Sequence, residues 1–252
     1  MGLRLILAAL WLTLLMPSAV PAATLLLSDG FEDGTLNKWS SPANVVNFNA
    51  GTGAAKSGSR VARGCFGDYY LINLKSSNVA YPEVYLKYYI KYESGFNWGN
   101  SFNDNNKHAR LRTAATINGF FFTLFKPAGT RVWYTDGNVI NSGGSIPDQQ
   151  GSDFTPQTNR WYKYEFYWKL NTGGSANGQG WVKVDGATML SFSGILYRTG
   201  DNIFYEELVF PGNNGGQTSA GQDCLQIDDV EIWNGLPPTT PSPSAPANLK
   251  VK

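Results

Sequence analysis

The chain has 252 residues, a formal net charge of +1 and only 15% charged residues. So even a balance, with no basic run, excludes the electrostatic footprint of a nucleic-acid binder. Hydrophobic residues make up 42% and aromatics 14%, beside 28 glycines and 13 prolines, which suits one large core in an all-β domain with many turns.

In chain order, the first element is a secretory signal. Arg4 precedes the apolar stretch Leu5 to Met16, which is too short to span a bilayer comfortably, and the small residues from Pro17 to Ala23 suit cleavage after Ala22 or Ala23. The expected organisation is a signal peptide over 1–23, one domain over 24–235 and a Pro/Ser/Thr-rich tail over 236–252. After cleavage the protein is expected to be secreted or periplasmic, with no membrane attachment, and monomeric.

The domain opens on a strand at Leu25 to Leu27, followed by the polar turn Ser28 to Gly34 and a loop-rich stretch to about Gly58. Short strands are predicted within Val61 to Leu74. From Val84 to Glu93 the residues alternate: Val84, Leu86, Tyr88, Ile90 and Tyr92 on one face, Tyr85, Lys87, Tyr89 and Lys91 on the other. A wet loop spans Gly95 to Asn106. Lys107 to Ala115 alternates again, Phe120 to Phe125 is apolar throughout, and Arg131 to Tyr134 is a further strand ending near Asp136-Gly137. A long polar loop is predicted from Asn141 to Asn159. The segment from Arg160 to Leu170 places Tyr162, Tyr164, Phe166, Trp168 and Leu170 on one face and Trp161, Lys163, Glu165, Tyr167 and Lys169 on the other. After a Gly/Asn/Ser loop comes the strand Trp181 to Val184, and Asp185-Gly186 is the kind of dipeptide that reverses a hairpin. A late strand covers Ile203 to Phe210, and Cys224 to Trp233 closes the domain. No helix is predicted.

Three sets of residues carry candidate chemistry. On a flat strand His108, Arg110 and Arg112 share one face. Arg binds carboxylates through a bidentate fork, and His titrates near neutrality and can act as an acid or base. Tyr205, Glu206 and Glu207 form a second set, with Tyr205 and Glu207 on a common face; Glu165 is a further partner for Glu207, since paired carboxylates serve glycoside hydrolysis. The third set is aromatic: Trp133, Trp161, Tyr167 and Trp181 fall opposite the apolar stripes, where rings either stack on sugars or form a second layer under loops. Cys65 and Cys224 are the only cysteines, so an exported chain is expected to carry one disulfide, the alternative being two buried thiols.

The stretch R-W-Y-K-Y-E-F-Y-W-K-L-N-T…N-G-Q-G-W-V-K-V-D-G resembles the central hairpin of concanavalin A-like jelly-roll sandwiches, and in particular of secreted bacterial polysaccharide lyase-like proteins. The resemblance extends from about Leu25 to Trp233 and implies an all-β, two-sheet antiparallel jelly-roll sandwich. Its partner would be a polysaccharide or oligosaccharide, and its activity the β-elimination of an anionic uronate polymer. In that reading Arg110 and Arg112 clamp the sugar carboxylate, His108 is the base and Tyr134 or Tyr205 the acid, with Trp133 and Glu207 also contacting substrate. A non-catalytic lectin-like module on the same fold is the alternative, because fold does not fix function. The Y-F-K-A-G strand of alginate lyases and the E-x-D-x-E pattern of laminarinase-like hydrolases are absent. Similar sandwiches pair an F-E-x-G turn with a closing D-D-V strand around a structural Ca2+, which implies Glu32 and Asp228 as ligands, with Asp229 the alternative. They also bring their first and last strands together, which would bring Cys65 near Cys224.

Overall fold

The computed structural model describes residues 22–39, 48–52, 54–65, 72–75, 81–96, 98, 105–112, 118–125, 131–138, 145–198, 200, 207–210, 214–215 and 224–238. Residues 1–21, Tyr205, Glu206 and the tail beyond 238 lie outside them. Strands and no helix occur among the described residues: β1 (Leu25–Asp29), β2 (Phe48–Thr52), β3 (Arg60–Cys65), β4 (Ile72–Lys75), β5 (Glu83–Tyr92), β6 (Asn105–Arg112), β7 (Asn118–Phe125), β8 (Arg131–Asn138), β9 (Ser145–Phe154), β10 (Trp161–Lys169), β11 (Gly178–Val184), β12 (Ala187–Ile195), β13 (Glu207–Phe210), β14 (Asn214–Gly215) and β15 (Cys224–Trp233).

They form two antiparallel sheets packed as a jelly-roll sandwich. The first runs β12-β11-β10-β5-β15-β3-β2, with β1 also on β15; the second runs β4-β13-β6-β7-β8-β9, with β14 on β6. Alternation explains the core. β5 and β10 pair without a break from Lys91↔Trp161 to Glu83↔Lys169, so the two inner stripes align. Val84, Leu86, Tyr88, Ile90 and Tyr92 from β5 and Tyr162, Tyr164, Phe166 and Trp168 from β10 are all buried. The second sheet answers with Ala109, Leu111, Phe121, Trp133, Leu208 and Phe210. Rings meet across the sandwich: Phe121 lies 4.6 Å from Trp168, Trp133 5.5 Å from Tyr164 and Phe210 5.1 Å from Tyr88. Each such ring, fully buried, contributes about 1.5–3 kcal/mol from removal of apolar surface alone.

The turn read from the sequence closes β11 onto β12. Asp185 and Gly186 both have positive φ, 51° and 86°, between the paired residues Val184 and Ala187, as a type I′ hairpin requires. The Asp185 carboxylate then accepts the Lys163 N–H at 2.8 Å and an Arg160 N–H at 2.9 Å, tying the turn to β10.

β15 joins the two ends of the domain. Its first half pairs with β3 and its second half with β1, while its other edge lies on β5. Cys224 and Cys65 are directly paired across β15 and β3 and form a disulfide.

Two stretches differ from the sequence reading. The polar loop expected over 141–159 contains β9, an edge strand whose Ser, Asp, Gln and Pro residues give no apolar alternation. Its position is set by pairing with β8, and at Gly151 a side chain would collide with the Met189 carbonyl of β12, where the two sheets come together. The loop-rich stretch before Gly58 contains β2, which lies at the edge of the first sheet on β3.

Candidate functional site

β6 is not flat. Lys107 pairs with Phe122 and Ala109 with Phe121, so His108 is an extra residue in a bulge. His108 and Ala109 consequently both point inward and both are buried. The His108 ring packs 4.8 Å from Trp133 and 5.4 Å from Tyr164. The Tyr88 hydroxyl donates to the His108 carbonyl oxygen at 2.9 Å, and the Tyr92 hydroxyl lies 3.5 Å from Nδ1. This corrects the expectation that His108, Arg110 and Arg112 share a face. Strict alternation holds only while register is kept, and one inserted residue reverses it. His108 is a core residue, out of reach of a polymer outside the sandwich.

Trp133 needs the same correction. It is fully buried between the sheets, 6.1 Å from Phe154 and 5.5 Å from Tyr164. Alternation on R-V-W-Y-T-D leaves open which set of residues faces inward. Pairing of Trp133 with Thr123, one turn of the pleat along from the buried Phe121, settles it. Tyr134, next in sequence, takes the opposite pleat position.

Register out of phase with the buried Phe121 lines up positions of the second sheet in rows. One row crosses four strands as Lys107, Phe122, Tyr134 and Gln150, spanning about 14 Å at the usual strand spacing. The next holds Val209, Arg110, Phe120 and Asp136, and a third Lys75, Glu207, Arg112 and Asn118. Four of the residues singled out from the sequence, Arg110, Arg112, Tyr134 and Glu207, thus hold register positions of one parity. Lys107 and Gln150 join them. Lys107 was missed because a flat strand would have turned it inward, and Gln150 because its strand carried no periodic signal.

The outer side of the first sheet holds Trp161, Tyr167 and Trp181, on the far side of the sandwich from Arg110. Tyr167 is buried beneath Trp181, whose ring stacks on it at 5.6 Å, and its hydroxyl donates to Glu83 at 2.8 Å. Tyr85 donates to Glu165 at 2.8 Å. Burial and the neighbouring carboxylates push both phenols above their usual range. Lys163–Glu165, Lys169–Glu83 and Lys87–Glu231 ion pairs lace this surface. The aromatic set here is a second packed layer. Glu165 belongs to it and so stands on a different sheet from Glu207, which ends their reading as a catalytic pair.

Glu32 and Asp228 do approach one loop, but as hydrogen-bond acceptors. Glu32 takes the N–H groups of Ser59 and Arg60 and the Ser59 hydroxyl on its two oxygens. The Arg60 and Ser59 N–H bonds hold its carboxyl below the usual range. Asp228, buried where β15 bulges, takes Lys56 and Ser57 N–H on one oxygen and Asp229 N–H on the other. Burial raises its carboxyl despite these bonds. Together the two carboxylates pin residues 56–60. Asp29 is a third structural carboxylate, buried and accepting from Phe31 N–H and the Trp39 indole.

No family model and no curated protein sequence matches the chain. Solved structures do. Alginate lyase Aly36B superposes with a TM-score of 0.52 at 18% identity, over 73% of this chain and 86% of its own. Alginate lyase vAL-1 from Chlorella virus gives 0.59 at 12% identity, over 83% and 99%. The endo-beta-1,4-glucuronan lyase of the fungus Trichoderma reesei gives 0.57 at 12% identity, over 83% and 95%. The fold is that of polysaccharide lyase jelly rolls. At these identities the similarity concerns the fold, and the residues of the second sheet must carry any statement about ligand.

Proposed function

We propose that this chain is an exported, monomeric, carbohydrate-active protein that binds an anionic polysaccharide along the outer side of its second sheet and cleaves it by β-elimination. The observation that carries this reading is the set of adjacent rows holding Arg110, Arg112, Lys107 and Tyr134. Guanidinium groups match the fork of a uronate carboxylate, and neutralising that carboxylate acidifies the proton on the neighbouring carbon. Tyr134 is the group for proton transfer to the leaving oxygen, and with His108 in the core Lys107 is the titratable residue that β6 offers to the same row. The fold shared with alginate and glucuronan lyases supports a uronate polymer as the substrate class, and export rests on the N-terminal segment and agrees with the disulfide.

The burial of His108 favours a second reading, a non-catalytic module on the same surface. One experiment separates the two. Purified protein is offered a panel of uronate polymers, with binding read by affinity electrophoresis and cleavage by the ultraviolet absorbance of unsaturated ends. Binding and absorbance are expected, with Tyr134→Phe abolishing the absorbance and retaining binding. Arg110→Ala should weaken binding by about 10- to 100-fold, the value of a hydrogen bond to a charged group. Binding without absorbance leaves the module, and no binding to any uronate polymer removes both.

A further inference from the structure

The bulge at His108 has a geometric effect on its neighbours. Lys107 and Arg110 are three residues apart, an odd spacing that puts them on opposite faces of a flat strand. With one extra residue between them, Lys107 pairs with Phe122 and Arg110 with Phe120, both out of phase with the buried Phe121. The two cations therefore come to one side, while His108 and Ala109 are both turned into the core.

The extra residue is held from the facing sheet. Tyr88 of β5 donates to the His108 carbonyl oxygen at 2.9 Å. Tyr92 of β5 reaches the imidazole at 3.5 Å and also lies 3.2 Å, hydroxyl to hydroxyl, from Tyr164 of β10. Trp133 and Tyr164 pack against the ring. Bulges re-aim side chains. We propose that the His108 bulge, locked by Tyr88 and by the packing of its imidazole, is a positioning device that puts Lys107 and Arg110 on the same ligand-facing surface. His108 and Tyr88 are positioning residues, acting on the ligand only through β6. The ligand half of this inference rests on the uronate-binding reading above; the geometric half does not.

Thiol labelling tests the geometry. The protein's two cysteines are joined in the disulfide, leaving no free thiol, so a thiol reagent under non-reducing conditions reads only an introduced cysteine. Lys107→Cys and Arg110→Cys should both react in the folded protein, and Ala109→Cys should be protected. In a Tyr88→Phe background, one of the two reactive sites should fall toward the Ala109→Cys rate. His108→Gln, which keeps a polar side chain, supplies the second background should Tyr88→Phe not fold. Uronate affinity, measured well below the melting temperature, should fall in the same backgrounds, and that loss should be non-additive with Arg110→Ala, which a general loss of stability would not produce. Unchanged labelling and affinity in both backgrounds, or a parent in which only one of the two sites reacts, overturns the device. A parent that labels as expected but binds no uronate polymer overturns the functional reading, and the device is then judged on labelling alone.

Discussion

Strands β10 and β6 are each flanked by partners on two sides, yet they treat their side chains differently. β10 keeps one register against β5 for its whole length and against β11 from Tyr164↔Val184 to Lys169↔Gln179. Its inner rings and outer charges never mix. β6 slips once against β7, between Lys107 and Ala109, and from there its faces exchange. The unbroken strand makes a wall, with a core on one side and laced ion pairs on the other. The broken strand gathers cations on one surface at the cost of sending the one histidine inside. A face is thus a property of a register, and it persists along a strand only as far as the register does.

The wall is where the largest effects should appear. Phe166→Ala, on the inner face of β10, should cost about 3–5 kcal/mol, as deletions of buried aromatic side chains do. Lys163→Ala, on its outer face, should cost no more than about 1 kcal/mol, the range of a solvent-screened ion pair. Denaturant midpoints measure both, and similar costs would break the contrast between the two faces.

Next comes the staple between β3 and β15. Replacing both Cys65 and Cys224 by Ser should lower stability by about 2–4 kcal/mol, since the loop closed by the bridge is long. Mass spectrometry of non-reduced peptides checks the bridge itself, and two alkylatable thiols in protein recovered from the periplasm or medium would refute it.

The turn that keeps β11 in step with β10 sharpens the comparison at a smaller scale. Gly186 sits at φ +86° with open space around its missing side chain, so Gly186→Ala meets backbone strain and no clash. It should cost about 1 kcal/mol or somewhat more, read as a lowered melting temperature.

The smallest effects concern charge. Glu32, Asp33 and Glu93 have carboxyls below their usual range, held there chiefly by the Arg60 N–H, the Thr35 N–H and the Arg63 guanidinium respectively. A depressed carboxyl contributes stability that is present above its unfolded value and lost as pH falls through the folded one. Asp228, raised by burial, works the other way: its contribution is full below its unfolded value and fades as pH rises through the folded one. Three groups against one predict a melting temperature that drops as pH falls below about 4, and Glu93→Gln should flatten part of that drop. Excess chelator at neutral pH separates two roles for Glu32 and Asp228: an unchanged melting curve leaves them as acceptors for the 56–60 loop, and a lowered curve from protein shown to contain metal makes them ligands.

Much of the fold was legible because it depends on short-range pattern. The stripes of β5 and β10, the Asp185-Gly186 turn and the neighbouring first and last strands were all expected and are all present. Of the candidate site, Arg110, Arg112, Tyr134 and Glu207 hold register positions of one parity on the second sheet, while His108 and Trp133, read as outer residues, are buried. Their errors share a cause. Arg131 to Asp136 can be read with either parity, and Asn105 to Arg112 contains a bulge that no residue type announces.

The sequence by itself determined that the chain is all-β, that it alternates apolar and polar faces, where its hairpin turns, and which two cysteines are available to each other. These follow from backbone sterics, local turn chemistry and composition, which act over a few residues. Only the tertiary structure decided which face of β8 lies inward, where β6 gains its extra residue, and that Glu32 and Asp228 spend their oxygens on backbone N–H groups. Those outcomes depend on Phe121, Tyr88 and residues 56–60, which are distant in sequence and reach their partners only when the sheets pair and pack.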